Sequence, residues 1–195
     1  MKTRLFLLFA CATPLLAAAG ATAYEVSGNA AARYTQDGKM TFPSGYREWV
    51  FLTSGIDMSY SKIAMGMGGS MFDNVFVPAE FYREFLRAGT WPEHTVIVKE
   101  ARAAAQKGSI NKHGKFQTSQ MIGVEAHVKD STRFSGGWAF FDFPGTEPAA
   151  QIPEAADCYS CHRQHGAVDS TFVQFYPTLM SVAVQKHSLA PGFKP

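Results

Sequence analysis

Cys158-Tyr159-Ser160-Cys161-His162 is the feature that most constrains this chain, because two thiols three residues apart with an imidazole next to the second are spaced for covalent attachment of a c-type haem. The sulfurs add to the two vinyl groups of the macrocycle, and His162 is then placed to give a proximal nitrogen to iron. A C-x-x-C redox pair would not need the adjacent histidine, and a zinc site would need a second ligand pair. The only other cysteine is Cys11, near the start of the chain. The motif therefore predicts one covalent haem c held by Cys158, Cys161 and His162, and a single domain that encloses it.

Residues 1–23 begin with Lys2 and Arg4, continue through an apolar run around Leu5 to Phe9 and Leu15-Leu16, and end in Ala21-Thr22-Ala23. That is the pattern of a secretory signal peptide, which leaves 24–195 as the haem domain. Its removal takes Lys2 and Arg4 from the 18 basic residues and none of the 16 acidic ones, so the remainder carries no formal net charge. A balanced chain offers no basic face to nucleic acid or to an anionic membrane, and no later segment reaches the ~20 apolar residues of a bilayer span. Small neutral substrates suit it better. Export with covalent haem points to the bacterial periplasm.

From Tyr46 onward the pattern is one of alternating strands. Trp49 to Thr53, Asn74 to Val77, Thr95 to Glu100, Met121 to Lys129 and Arg133 to Phe143 read as strands, and Pro78 to Gly89 as an amphipathic helix with Phe81 and Phe85 on one face. Residues 103–117 read as an exposed hairpin loop, and 20–39 as a loose N-terminal arm. A helical region carries the haem motif, followed by an apolar stretch from Val168 to Gln185 that Pro177 should interrupt. The expected fold is α+β: a mostly antiparallel β-sheet with a few packing helices.

Beyond the motif, Thr95, Ile97 and Lys99 share one strand face, and a lysine that continues an apolar row points either into a haem pocket or to solvent at a strand edge. Glu154 and Asp157, just before Cys158, are carboxylates that could take protons from a haem-bound substrate, or first-turn acids of the helix. The methionines of the glycine-rich Met58 to Met71 segment, and His94, His113, His127, His165 and His187, are the other potential axial ligands; none stands out by spacing. Phe72, Phe76, Phe140, Phe141 and Phe143 are aromatic enough to wall a haem or to fill a core.

Several ordered segments together resemble the cytochrome P-460 family, which also holds the beta-type cytochromes c-prime. They are Tyr46-Arg47-Glu48-Trp49-Val50-Phe51, Asn74-Val75-Phe76-Val77, Gly89-Thr90-Trp91-Pro92 with Thr95 to Glu100, Gly123 to Asp130, Gly137-Trp138-Ala139-Phe140-Phe141, and the haem motif with Phe172 to Pro177. The resemblance implies an antiparallel β fold with helices, a homodimer, and a five-coordinate haem with an open sixth position. It also implies a lysine of the Val-x-Val-Lys-Glu strand, here Lys99, bonded to the macrocycle, with hydroxylamine as substrate and a carboxylate resembling Glu154 as proton acceptor. A redox partner protein would take the electrons. The alternatives are a nitric-oxide-binding beta-type cytochrome c-prime and an electron-transfer cytochrome with a sixth protein ligand. Where relatives carry a basic residue before the Asn-Val-x-Val strand, this chain has Asp73.

Overall fold

A computed structural model describes residues 31–58, 69–108, 110 and 112–194. Residues 1–23, where the sequence pattern predicts a signal peptide, and the centre of the methionine-rich segment, 59–68, lie outside the described residues. Five strands, β1 (Val50–Ile56), β2 (Met71–Val77), β3 (Val96–Ala105), β4 (Phe116–Lys129) and β5 (Trp138–Phe143), pair in chain order as one antiparallel sheet. Each element joins its sequence neighbour, as expected of strands linked by short connections. The helices are α1 (Ala79–Ala88), α2 (Asp157–His165) and α3 (Pro177–Gln185), giving the α+β, mostly antiparallel architecture read from the sequence.

Helix α1 forms where Pro78 supplies the fixed φ of a helix entry and ends where Gly89 takes φ +78 and returns its N–H to the Phe85 carbonyl. Phe81 and Phe85, four residues apart, are fully buried. Burial of side chains this size stabilises by roughly 1.5–3 kcal/mol each. Together with Leu52, Val77, Trp91, Ile97, Trp138 and residues of α3 they form the core between one sheet face and the helices. The other face carries a second core of Val96, Val98, Val124, Ala126, Val128, Phe141 and Phe143.

Three sequence expectations are corrected. The hairpin loop is shorter than 103–117, because β3 runs to Ala105 and β4 starts at Phe116. Two register shifts, between Ala101 and Arg102 and between Arg102 and Ala104, lengthen the ladder despite its irregular polarity. Pro177 opens α3 at its first position, where its missing N–H costs nothing, and so starts a helix rather than breaking one. The segment 31–39 is tied down at two points: Tyr34 bridges Met40, and the Arg133 guanidinium lies 3.7 Å from the Tyr34 ring centroid.

The buried face of β3 that carries Val98 also carries Glu100, which is 1% exposed. Tyr46 and Arg47 donate to its carboxylate, as do Arg102 Nε at 2.7 Å and Asn74 Nδ2 at 3.3 Å. A buried charge demands such a set of partners. The network pins β2, β3 and the turn before β1 together, and because side chains alternate along a strand it fixes the opposite outlook of Lys99.

Candidate haem site

Residues 158, 161 and 162 fall at i, i+3 and i+4 on α2, so two thiols and one imidazole share a helix face. Both cysteines are free and partly accessible. Burial pushes the Cys158 thiol above its ordinary range, and the nearby Glu125 and Asp157 charges add to the effect. It is held as a neutral thiol. Tyr159 points the other way: its hydroxyl donates to the Ile152 carbonyl at 2.8 Å and its ring meets Phe140 edge-on, fixing α2 to β5.

His162 sits in an aromatic box of Phe140 (centroids 4.6 Å), Phe172 (4.2 Å) and His127 (4.9 Å). Its Nδ1 lies 3.0 Å from the Ser170 carbonyl, which only accepts, so Nδ1 carries the proton and Nε2 is left with its lone pair. Burial holds the His162 pKa below its ordinary value, against the opposing influence of the Ser170 bond and of Glu125. A neutral ring with a free Nε2 is what an iron ligand requires.

The sheet face beneath this helix carries two cross-strand rows. Ile97, His127 and Phe140 pair across β3, β4 and β5, and Lys99, Glu125 and Asp142 form the next row on the same face. Two residues along a strand separate the rows by about 7 Å. In the first, His127 stacks on Phe140 at 4.1 Å and 13° and is buried, with Nε2 unpaired among the described residues. Burial, aided by His162, drives its pKa well below the ordinary value, so the ring is neutral.

In the second row, Lys99 Nζ lies 2.8 Å from Glu125 Oε1 and 3.8 Å from Asp73 Oδ1. Burial works to lower its pKa, but Glu125, Asp73 and Asp142 outweigh it and hold the amine protonated. Asp73 is 8% exposed, Oδ1 accepts no hydrogen bond among the described residues, and burial raises its pKa. Lys99 and Glu125 both act on the titration of His162, and Glu125 on that of Cys158, so the two rows and α2 form one electrostatic unit.

The site thus gathers Lys99, Cys158, Cys161 and His162. It does not gather Glu154, which is exposed in the turn before α2 with the Ser135 hydroxyl as its partner at 3.0 Å. Asp157 is the first residue of α2, where a negative charge complements the helix dipole. Among the aromatic candidates Phe140 reaches His162, whereas Phe141 and Phe143 fill the opposite core. His94 is exposed, and of the other histidines His127 alone packs on His162. Glu125 was missed as a site residue in the sequence, and His127 was named only as one of five histidines that could supply an axial ligand. The signal is the polar set Glu125, His127 and Lys129 alternating with apolar Val124, Ala126 and Val128, a face that needs a purpose.

The free thiols, the neutral imidazole with an open Nε2 and the buried unpaired polar atoms on one face fit a covalent haem. Among the described residues no helix is long and apolar enough to cross a membrane. A comparison with curated proteins returns no match. The cytochrome P460 family model matches residues 43–173, from the turn before β1 through α2 to Val173. The chain belongs to the cytochrome P460 family, whose cofactor is one covalent haem c.

Proposed function

We propose that this member of the cytochrome P460 family is an oxidoreductase that oxidises hydroxylamine, with Cys158 and Cys161 as thioether anchors, His162 as proximal ligand and Lys99 as the amine bonded to the macrocycle. The observation that carries the reading is the Lys99–Glu125 pair, 2.8 Å apart, on the sheet face that also packs His162. When bound, haem c supplies the iron that takes the substrate nitrogen and accepts its electrons.

The chain's own groups hold position and handle protons. Ser170 keeps Nδ1 of His162 protonated, which leaves the Nε2 lone pair as the one that would bind the iron. Glu125, Asp73 and Asp142 hold Lys99 as an ammonium, and Glu125 Oε1, 2.8 Å away, is the acceptor placed to take its proton. Glu125, the nearer of the two carboxylates beside the Lys99 amine, is the group that would take the substrate's protons. That assigns to Glu125 the role that the sequence pattern suggested for Glu154, whose partner is Ser135. Export to the periplasm, a homodimer and a separate redox protein as electron acceptor complete the reading.

The test is the visible spectrum of the reduced, purified holoprotein. A Lys99 bond alters the conjugated ring, so the main absorption band moves far to the red, and the shift disappears in Lys99→Ala together with hydroxylamine turnover. An ordinary high-spin c-type spectrum would refute the bond and favour nitric oxide binding. A low-spin spectrum would mean a sixth protein ligand and electron transfer.

A further inference from the structure

The chain leaves α2 at Gly166 and folds back through Val168, Asp169, Ser170 and Thr171 beneath the haem motif. Asp169 and Ser170 both have positive φ, +48° and +57°, and neither is glycine. Two successive left-handed residues make the tight reversal that closes the Val168–Thr171 bridge. Such backbone persists only where its surroundings over-determine it.

Here they do. The Asp169 carboxylate takes Lys129 Nζ on one oxygen and Trp138 Nε1, at 3.3 Å, on the other. Lys129 Nζ also donates to the Trp91 carbonyl at 2.8 Å, and Trp91 Nε1 donates to Thr171 Oγ1 at 2.9 Å. Thr171 Oγ1 donates in turn to the Val168 carbonyl. The reversal is therefore gripped from β4, β5 and the segment before β3. Close approach to α2 is the remaining condition: a Cβ on Gly166 would stand 2.7 Å from the His162 carbonyl oxygen on the helix and, on the reversal, 2.7 Å from Thr171 N and 2.8 Å from Ser170 C, nearer than real contacts allow. What all this delivers is one atom, the Ser170 carbonyl oxygen, 3.0 Å from His162 Nδ1.

We propose that Asp169 is a positioning residue which, clamped by Lys129 and Trp138 and admitted by Gly166, aims the Ser170 carbonyl at the proximal histidine and thereby sets the reduction potential of the haem. Donation from Nδ1 enriches Nε2 in electron density and strengthens its bond to iron, which favours the ferric state. Withdrawal of the carbonyl weakens that bond and raises the potential.

The experiment uses reduced holoprotein, with the iron–histidine stretching band read by resonance Raman and the potential by spectroelectrochemical titration. Asp169→Ala and Gly166→Ala should each lower the band frequency and raise the potential, the first by releasing the grip and the second by pushing the reversal away without changing charge. Ser170→Gly, which keeps the carbonyl and accepts positive φ freely, should leave both where they are. Where either alanine variant fails to retain haem, Lys129→Met, which leaves the backbone of the reversal untouched, decides with the same two readouts. Unchanged frequency and potential in the clamp variants would overturn the proposal, as would an equal shift in Ser170→Gly.

Discussion

Replacing Glu100 with Gln keeps the shape of a side chain that is 1% exposed and removes its charge. The carboxylate accepts from Tyr46, Arg47, Arg102 and Asn74, and an amide must turn one acceptor into a donor facing other donors. Breaking a buried ion pair costs about 3–5 kcal/mol when the partner stays buried. Arg47 is half exposed and recovers water, whereas Arg102 is 18% exposed and recovers little, which places the expected loss near the lower bound, about 3 kcal/mol. For a domain of this size that is a fall in Tm of roughly 6–12 °C. The partners hold the folded pKa of Glu100 below its ordinary value despite burial, so its contribution is complete above the unfolded value of about 4.3 and fades as pH falls through the depressed folded value. Urea denaturation of wild type and Glu100→Gln should show the full gap at pH 7 and a shrinking gap below about pH 4. A loss under about 1 kcal/mol, or a gap that does not change with pH, would refute the argument. Because Glu100 and Lys99 are adjacent on opposite faces, the same variant should also lower the fraction of protein that shows the red-shifted band.

Three further outcomes are expected. Glu125→Gln should lower the fraction of protein that shows the red-shifted band and, in the fraction that keeps it, lower hydroxylamine turnover by about 10²–10⁴-fold, the usual worth of a positioned base, at a cost under about 1 kcal/mol in denaturation because its pair with Lys99 is partly solvated. Asp73→Asn should stabilise the fold at neutral pH: burial raises the Asp73 pKa, so the native state loses stability as pH climbs from the unfolded toward the folded value, and urea midpoints should show that slope gone in the variant. Phe85→Ala should cost about 3–5 kcal/mol in the same assay, since a fully buried ring, packed at a tilt with its centroid 4.4 Å from that of Trp91, leaves a cavity between sheet and helices.

Local rules were enough for the elements that carry their own signal. The haem-motif face of α2 follows from the helical period alone, α1 from Pro78, Phe81, Phe85 and Gly89, and the two outlooks of β3 from simple alternation. Family resemblance, carried by ordered segments from Tyr46 to Pro177, selected Lys99 from among the lysines, which spacing could not do. The N-terminal and methionine-rich expectations fall largely outside the described residues.

What tertiary structure decided are the pairings across distance. Glu125 stands opposite Lys99 only because the β3–β4 ladder absorbs two register shifts beyond Ala101, and a one-residue slip would turn Glu125 to the buried core face. Nothing local distinguishes Glu154, three residues before the helix, from Glu125 as a proton acceptor; the difference is that one meets Ser135 and the other meets Lys99. Likewise the strained Asp169-Ser170 backbone is unreadable from neighbours in the chain, because the groups that pay for it, Lys129 and Trp138, come from two different strands. Periodicity fixes which way a side chain points, but what it meets depends on the register and closure of the whole sheet.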